Sequence, residues 1–351
     1  MSQYDFIKDL AKYGLENDQD KLLSVLNELI DYSKQQKKVN FAIQLQSILR
    51  DAIRQQQTSG LVKFGSMKHQ IREEDREVNE FILEKLTSDY RLPDLVCRLE
   101  IRSELEFFIK EQKNVAFLRK HNLPVSNKLL LHGPSGCGKT LAAYVLAGEL
   151  EKMLLVIDLG AIVSSKLGET SKNLSKIFKR ASSEGCIIFL DEFDSLGKIR
   201  DYSQDHGEMK RVVNTLLQLF DYLPQDTILV AATNQKDMLD TAILRRFDLT
   251  VDLELPSKDQ IKELVSKVLK SSELSFDNKI FSQKCYSAAL GLSFYSIQKT
   301  LITSIKRSLF DRKDLVSDGL PVYLNPKINT QKWLELLLAE RKSLNVDMDK
   351  N

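Results

Sequence analysis

Leu129-Leu130-Leu131-His132-Gly133-Pro134-Ser135-Gly136-Cys137-Gly138-Lys139-Thr140-Leu141-Ala142-Ala143-Tyr144-Val145-Leu146 is the stretch that decides the fold. A short apolar run predicts a buried strand. The glycine-rich loop after it matches GxxxxGK[ST], and the apolar segment that follows predicts a helix. In this setting the loop turns successive main-chain N–H groups toward an anion, and the new helix adds the positive end of its dipole. Gly133, Pro134, Ser135, Gly136, Cys137, Gly138, Lys139, Thr140 and Leu141 are therefore the candidate phosphate-binding residues. Lys139 is placed to reach β- and γ-phosphates, and the Thr140 hydroxyl to ligate Mg²⁺. A chance match in a chain of this length has a probability of roughly one in a hundred, and the flanking strand and helix lower it further. Cys137 within the loop reads as a small residue, and His132 before it as a packed one.

Three further apolar runs end in polar residues of the kind a phosphate site needs. Cys186-Ile187-Ile188-Phe189-Leu190 delivers Asp191-Glu192. Successive side chains of a strand point to opposite faces, so the two acids can divide the work. Asp191 would hold the Mg²⁺ shell, and Glu192 would orient and deprotonate the attacking water. Ile228-Leu229-Val230-Ala231-Ala232-Thr233 ends in Asn234, an amide suited to positioning that water. Arg245-Arg246-Phe247-Asp248 adds two guanidinium groups, which either pair with surface acids or neutralise charge on a transferring phosphoryl group. Each segment alone reads as an ordinary strand end or surface pair. In this order, with the loop, the catalytic reading is favoured.

Short apolar runs separated by helix-length segments predict an α/β fold, a parallel sheet covered by helices on both faces. Leu154-Leu155-Val156-Ile157 supplies one more strand. The expected organisation is an N-terminal helical module over 1–57, a linker over 58–90, an α/β nucleotide-binding core over 91–256, and a helical lid and tail over 257–351. In the module, Leu22, Leu26, Leu29 and Ile30 recur at helical spacing, as do Ile43, Ile48, Leu49, Ala52 and Ile53, with Asp18 as an N-cap. The module reads as a docking piece or as a packing extension of the core. Glu73-Glu74-Asp75-Arg76-Glu77 reads as a solvated run, and Leu99, Leu105, Phe108 and Ile109 as a helix leading into the core. Trp333, Leu334, Leu337 and Leu338 form a final stripe expected to pack in the lid.

The ordered motifs resemble the AAA family of ATPases from about residue 91 to about residue 311. The resemblance implies a P-loop fold with a helical lid, ATP as the nucleotide, Mg²⁺, and ATP hydrolysis. Asn234 then matches the first sensor, and Arg245 and Arg246 match arginine fingers that complete a neighbouring copy's site, so the implied assembly is a ring, typically a hexamer. Asp221 resembles an inter-subunit signalling position, and Gly291-Leu292-Ser293 opens a lid helix near the adenine. The chain departs from the family pattern in three places. Its two arginines are adjacent, which leaves open which one reaches the neighbour, and no arginine holds the second-sensor position. In Ser164-Ser165-Lys166-Leu167-Gly168-Glu169-Thr170, Lys166 replaces the aromatic residue that grips a threaded polypeptide, although Leu167 offers some apolar contact. The segment from Asp191 to Asn214 also resembles a bacterial subgroup encoded beside subtilisin-like serine proteases, which implies a protease partner.

Composition narrows the partners. With 51 basic and 49 acidic residues in 351, the net charge is +2, and no basic tail is present to neutralise a nucleic-acid backbone. No apolar stretch approaches the roughly 18 residues that span a bilayer, and the opening residues lack a secretory pattern, so a cytoplasmic location without membrane attachment is expected. Cys97, Cys137, Cys186 and Cys285 are too scattered for zinc or a disulfide framework. Two functional readings follow. In one, an oligomeric ATPase remodels or unfolds a protein client, with the client or an adaptor engaged through residues 1–57 and a partner protease coupled to it. In the other, ATP-dependent assembly gates a partner protein without threading.

Overall fold

A computed structural model describes residues 3–15, 19–36, 38, 41–45, 81–157, 159, 170–195, 206–272, 274–310, 316–317, 320–321 and 327–348. Asp18, the 73–77 run, residues 164–169 including Lys166 and Leu167, and Ile48, Leu49, Ala52 and Ile53 lie outside the described residues.

The core is a six-stranded sheet in the order β1-β3-β4-β5-β2-β6. Its strands are β1 (Ile82–Leu86), β2 (Lys128–His132), β3 (Leu154–Ile157), β4 (Ile187–Leu190), β5 (Ile228–Thr233) and β6 (Leu249–Asp252). Strands β2 to β6 are parallel, and the apolar runs read from the sequence are those strands. Alternation along them divides the core into two halves. Leu129, Leu131, Leu154, Val156, Ile187, Phe189, Ile228, Val230 and Ala232 face one side, packed beneath α3 (Leu99–Lys113) and α5 (Lys139–Leu150). Leu130, Leu155, Ile157, Ile188, Leu190, Leu229 and Ala231 face the other, beneath α6 (Thr170–Glu184) and α7 (His206–Asp221). Each fully buried branched side chain contributes about 1.5–3 kcal/mol. Continuous rather than alternating hydrophobicity is the sequence signature of a strand covered on both faces.

The sixth strand lies in the stretch expected as linker. β1 runs antiparallel to β3, with a register shift between Ile82 and Glu84. It is half exposed and carries charge, so its apolar signal is weak. Side-chain pairs hold it: Lys85 with Glu184 at 2.9 Å, and the Tyr144 hydroxyl donating to Glu84 at 3.3 Å. It closes the edge that β3 would otherwise leave open.

At the N-terminus, α1 (Gln3–Leu15) and α2 (Gln19–Gln35) share a small core of Phe6, Val25 and Leu29, with Leu22 and Leu26 partly and Ile30 fully buried. Gln44, in the short helical stretch at 41–45, donates to Thr87 just past β1 at 3.1 Å.

After the sheet, α9 (Lys258–Ser272), α10 (Lys279–Ala288), α11 (Phe294–Phe310) and α12 (Thr330–Met348) surround their own core of Ile261, Val265, Cys285, Leu301 and Trp333. Strand pairing is present there too, although the sequence signals are helical. β7 (Ser275–Phe276) and β10 (Lys327–Ile328) pair in parallel, and β8 (Val316–Ser317) and β9 (Leu320–Pro321) form a hairpin. Two-residue strands are too short to leave a period in the sequence. Of the last apolar stripe, Trp333 and Leu337 are fully buried, while Leu338 is 45% exposed.

Candidate nucleotide site

Sheet order brings the motifs together. β4, β5 and β2 are neighbours, and in-register pairing of Leu190 with Ala231 and of His132 with Thr233 sets their carboxyl ends side by side. Motif residues dispersed from 135 to 234 thus surround one cavity of about 390 Å³. Its walls include the 135–141 loop and helix start, Asp191, Glu192 and Asn234.

The loop's shape depends on backbone that only glycine adopts freely. Gly133 has φ +137°, and a Cβ there would sit 2.2 Å from the Leu253 carbonyl oxygen. Gly136 has φ +74°, and its Cβ would lie 2.7 Å from Ser293 Oγ and 2.9 Å from Tyr295 Cβ. The lid therefore rests on the loop itself, and the Tyr295 N–H donates to the Gly136 carbonyl at 3.1 Å. Lys139 is buried, and its ammonium group donates to the Gly133 and Pro134 carbonyls at 2.8 and 2.9 Å. Burial pushes its pKa below the ordinary lysine value. The loop is thus held by its own cation.

The β4 pleat explains the acid pair. Ile187 and Phe189 face the α5 side, and Asp191 continues that row toward α5. The Thr140 hydroxyl at the start of α5 donates to Asp191 at 3.2 Å. Two hard oxygen donors side by side at the phosphate loop suit Mg²⁺, which takes few protein ligands and keeps water and phosphate for the rest. Glu192 turns away from the strand with φ 49°, a left-handed conformation that costs a non-glycine residue about 1–2 kcal/mol. Its N–H is held by Asp191 Oδ1 at 2.9 Å.

The structure adds Asp194, which the sequence reading did not single out for a role. Almost fully buried, it accepts hydrogen bonds from Thr233 Oγ1 at 3.1 Å and from the Asn234 N–H at 3.2 Å. Phe193 N–H also donates to the Ala232 carbonyl at 2.8 Å. The turn bearing Glu192 is thereby tied to the tip bearing Asn234. The available sequence signal was only an acid three residues beyond Asp191; its burial is seen in the fold. Also unassigned were Leu95, Val96, Leu264, Phe294, Tyr295 and Gln298, which line the same cavity. They come from three separated segments and form no motif.

Arg245 and Arg246 are not in this cavity. They precede β6, which runs parallel to β2, so they lie at the opposite end of the sheet from the loop. β2 alone spans about 16 Å at roughly 3.3 Å per residue. Arg246 makes a two-pronged contact with Asp221, at 3.0 and 3.1 Å, and donates to the Ala242 carbonyl at 2.9 Å. Arg245 caps α8 (Thr241–Leu244), with an exposed side chain that makes no ion pair among the described residues. His132 is half-buried between Asp252 and Lys236, each at 3.5 Å, and burial lowers its pKa. Cys137 is buried, and burial raises its thiol pKa.

Residues 129–255 match the model of the ATPase family associated with various cellular activities, AAA. An uncharacterized AAA family ATPase of Sinorhizobium fredii, y4kL, is 36% identical over 237 residues, which cover 67% of this chain and 70% of that one. The chain belongs to the AAA family. Like the members it matches, it is an ATPase, and its reaction is the hydrolysis of ATP. The ribosome biogenesis ATPase RIX7 of Saccharomyces cerevisiae is 31% identical over 229 residues, 62% of this chain but 27% of that larger protein. The crystal structure of the FIGL-1 AAA domain superposes with a TM-score of 0.60 at 18% identity, covering 81% of this chain and 98% of that one, a likeness of fold. Among the described residues no helix is long and apolar enough to cross a membrane.

Proposed function

We propose that this AAA ATPase splits Mg²⁺-bound ATP at the cavity between the 133–141 loop, the strand tips and the lid, and does so as a ring of copies. The observation that carries the reading is the convergence of Lys139, Thr140, Asp191, Glu192 and Asn234 on one cavity while both arginines lie at the far end of the same sheet. Loop amides and Lys139 bind the phosphates. Mg²⁺, held through Thr140 and Asp191, would supply charge neutralisation on the phosphate oxygens. Glu192 takes the proton of the attacking water, which Asn234 orients. The missing positive charge comes from a second copy's arginine edge, and a hexamer is the proposed closed form.

The cycle is proposed to remodel or unfold a protein client docked by residues 1–57. The helical pair α1–α2, with its own small core, supports a separate docking piece.

The test combines two variants with nucleotide-binding and phosphate-release measurements. Glu192→Gln should keep a fluorescent ATP analogue bound while turnover falls by at least ~100-fold. Lys139→Ala should lose binding itself. Full turnover by Glu192→Gln, or a wild-type protein that neither binds nucleotide nor releases phosphate at any concentration, would refute the assignment. Affinity capture on Glu192→Gln with ATP would then identify the client.

A further inference from the structure

Three buried aromatic residues each sit one position from Glu192, from Arg246 or from Asp221, the acid that holds Arg246. Phe193 follows Glu192, Phe220 precedes Asp221, and Phe247 follows Arg246. Their rings form a closed triangle. Phe193 and Phe220 stack at 6.3 Å between centroids, Phe220 meets Phe247 edge-on at 5.5 Å, and Phe193 meets Phe247 edge-on at 6.0 Å. All three are at most 8% exposed. Phe178 of α6 stacks on Phe220 from outside.

Each corner is also fixed by hydrogen bonds at the ring-bearing residue or its neighbour. Phe193 N–H is held by the Ala232 carbonyl. Asp221 is locked to Arg246. Asp248, next to Phe247, accepts from the Asn127 and Lys128 N–H groups at 2.9 Å each. Close-packed rings with preferred angles transmit displacement rather than absorb it. A shift of the Glu192 turn would press on the two rings that adjoin Asp221 and Arg246.

We propose that Phe193, Phe220 and Phe247 are positioning residues that bind the carboxylate turn of one copy to the arginine edge that the same copy presents to its neighbour. Arg246, engaged by Asp221 and the Ala242 carbonyl through three of its five N–H groups, holds the arginine edge in place, and exposed Arg245 is the group that reaches the neighbouring phosphates. The inference rests on the reading that the arginines act on another copy's nucleotide. It goes beyond that reading by assigning unequal roles to the two arginines and a coupling role to three residues that touch no nucleotide.

Mixed assemblies test it. A donor carrying Glu192→Gln hydrolyses little but still presents arginines. An acceptor carrying Arg245→Ala and Arg246→Ala keeps Glu192 but depends on a donor. Mixing the two should restore phosphate release. Adding Phe193→Leu to the donor, where Glu192 is already inactive, should lower kcat of the mixture by roughly 10- to 100-fold with KM unchanged, because the arginine is displaced from its working geometry. Sedimentation should show assemblies of unchanged size. Phe220→Leu in the donor gives the same reading should Phe193→Leu fail to fold. A donor with Arg246→Lys should keep more activity than one with Arg245→Lys. Mixtures unaffected by either phenylalanine change overturn the coupling alone, as does a loss that merely follows dissociation in sedimentation. Wild-type hydrolysis without any activity from the unmodified mixture overturns the reading beneath it, and the coupling with it.

Discussion

Replacing Asp194 tests the link between the two strand tips. Its Oδ1 accepts from Thr233 Oγ1 at 3.1 Å and from the Asn234 N–H at 3.2 Å, and the residue is 1% exposed. Alanine leaves two donors without their acceptor, at about 1–3 kcal/mol each. The Thr233 hydroxyl can rotate to another acceptor, so the lower half of that range applies, about 3 kcal/mol in all. Asparagine keeps an acceptor oxygen and gives up only charge assistance, about 1 kcal/mol. Both variants should fold, since domains of this kind have about 5–15 kcal/mol of stability. The urea midpoint of the nucleotide-free protein should fall slightly for Asp194→Asn and clearly for Asp194→Ala. Asn234 and Glu192 then lose their shared brace. Phosphate release should drop by about 10- to 100-fold for Asp194→Ala, with the Kd for nucleotide nearly unchanged because the loop is intact. An Asp194→Ala protein with wild-type midpoint and wild-type kcat would show that the buried carboxylate braces nothing.

Three other outcomes are expected. Gly136→Ala should weaken nucleotide binding by at least ~10-fold in a fluorescence titration, since the new methyl group meets Ser293 and Tyr295 and pushes the lid off the loop. Among the cysteines, half-buried Cys97 should be alkylated first at pH 8, while Cys186, buried with a thiol pushed up to about 12, should react only after unfolding, as mass spectrometry of the labelled protein will show. For Glu184, burial opposes ionisation, but hydrogen bonds from Arg180 and Lys85 outweigh it and hold the carboxyl below its ordinary value near 4.5. The stabilisation is complete above that value and disappears as pH falls through the lower folded one. Glu184→Gln should therefore cost about 2 kcal/mol at pH 7 and progressively less in denaturant titrations as the pH falls below the ordinary carboxylate value.

The fold class was legible because parallel strands buried on both faces write themselves as short, wholly apolar runs. Leu129–Leu131, Ile187–Leu190 and Ile228–Ala232 could be read one at a time. The edge strand Ile82–Leu86 could not, since two of its five residues are exposed and its charged Lys85 and Glu84 find partners distant in the chain. The glycine-rich loop was equally legible, because its backbone takes positive φ at Gly133, Gly136 and Gly138, which demands glycines at fixed spacing.

By itself, then, the sequence determined the local chemistry: which loop can cradle phosphate, which strand ends carry acids, an amide and arginines. Sheet order alone decided that 139, 140, 191, 192 and 234 share a cavity while 245 and 246 face away from it, because neighbours in a parallel sheet are set by crossovers rather than by chain distance. The brace at Asp194, the lid resting on Gly136 and the Phe193–Phe220–Phe247 triangle belong to the tertiary structure for the same reason. Each is a contact between side chains or backbone that local pattern leaves independent, and only packing brings them within a few ångströms.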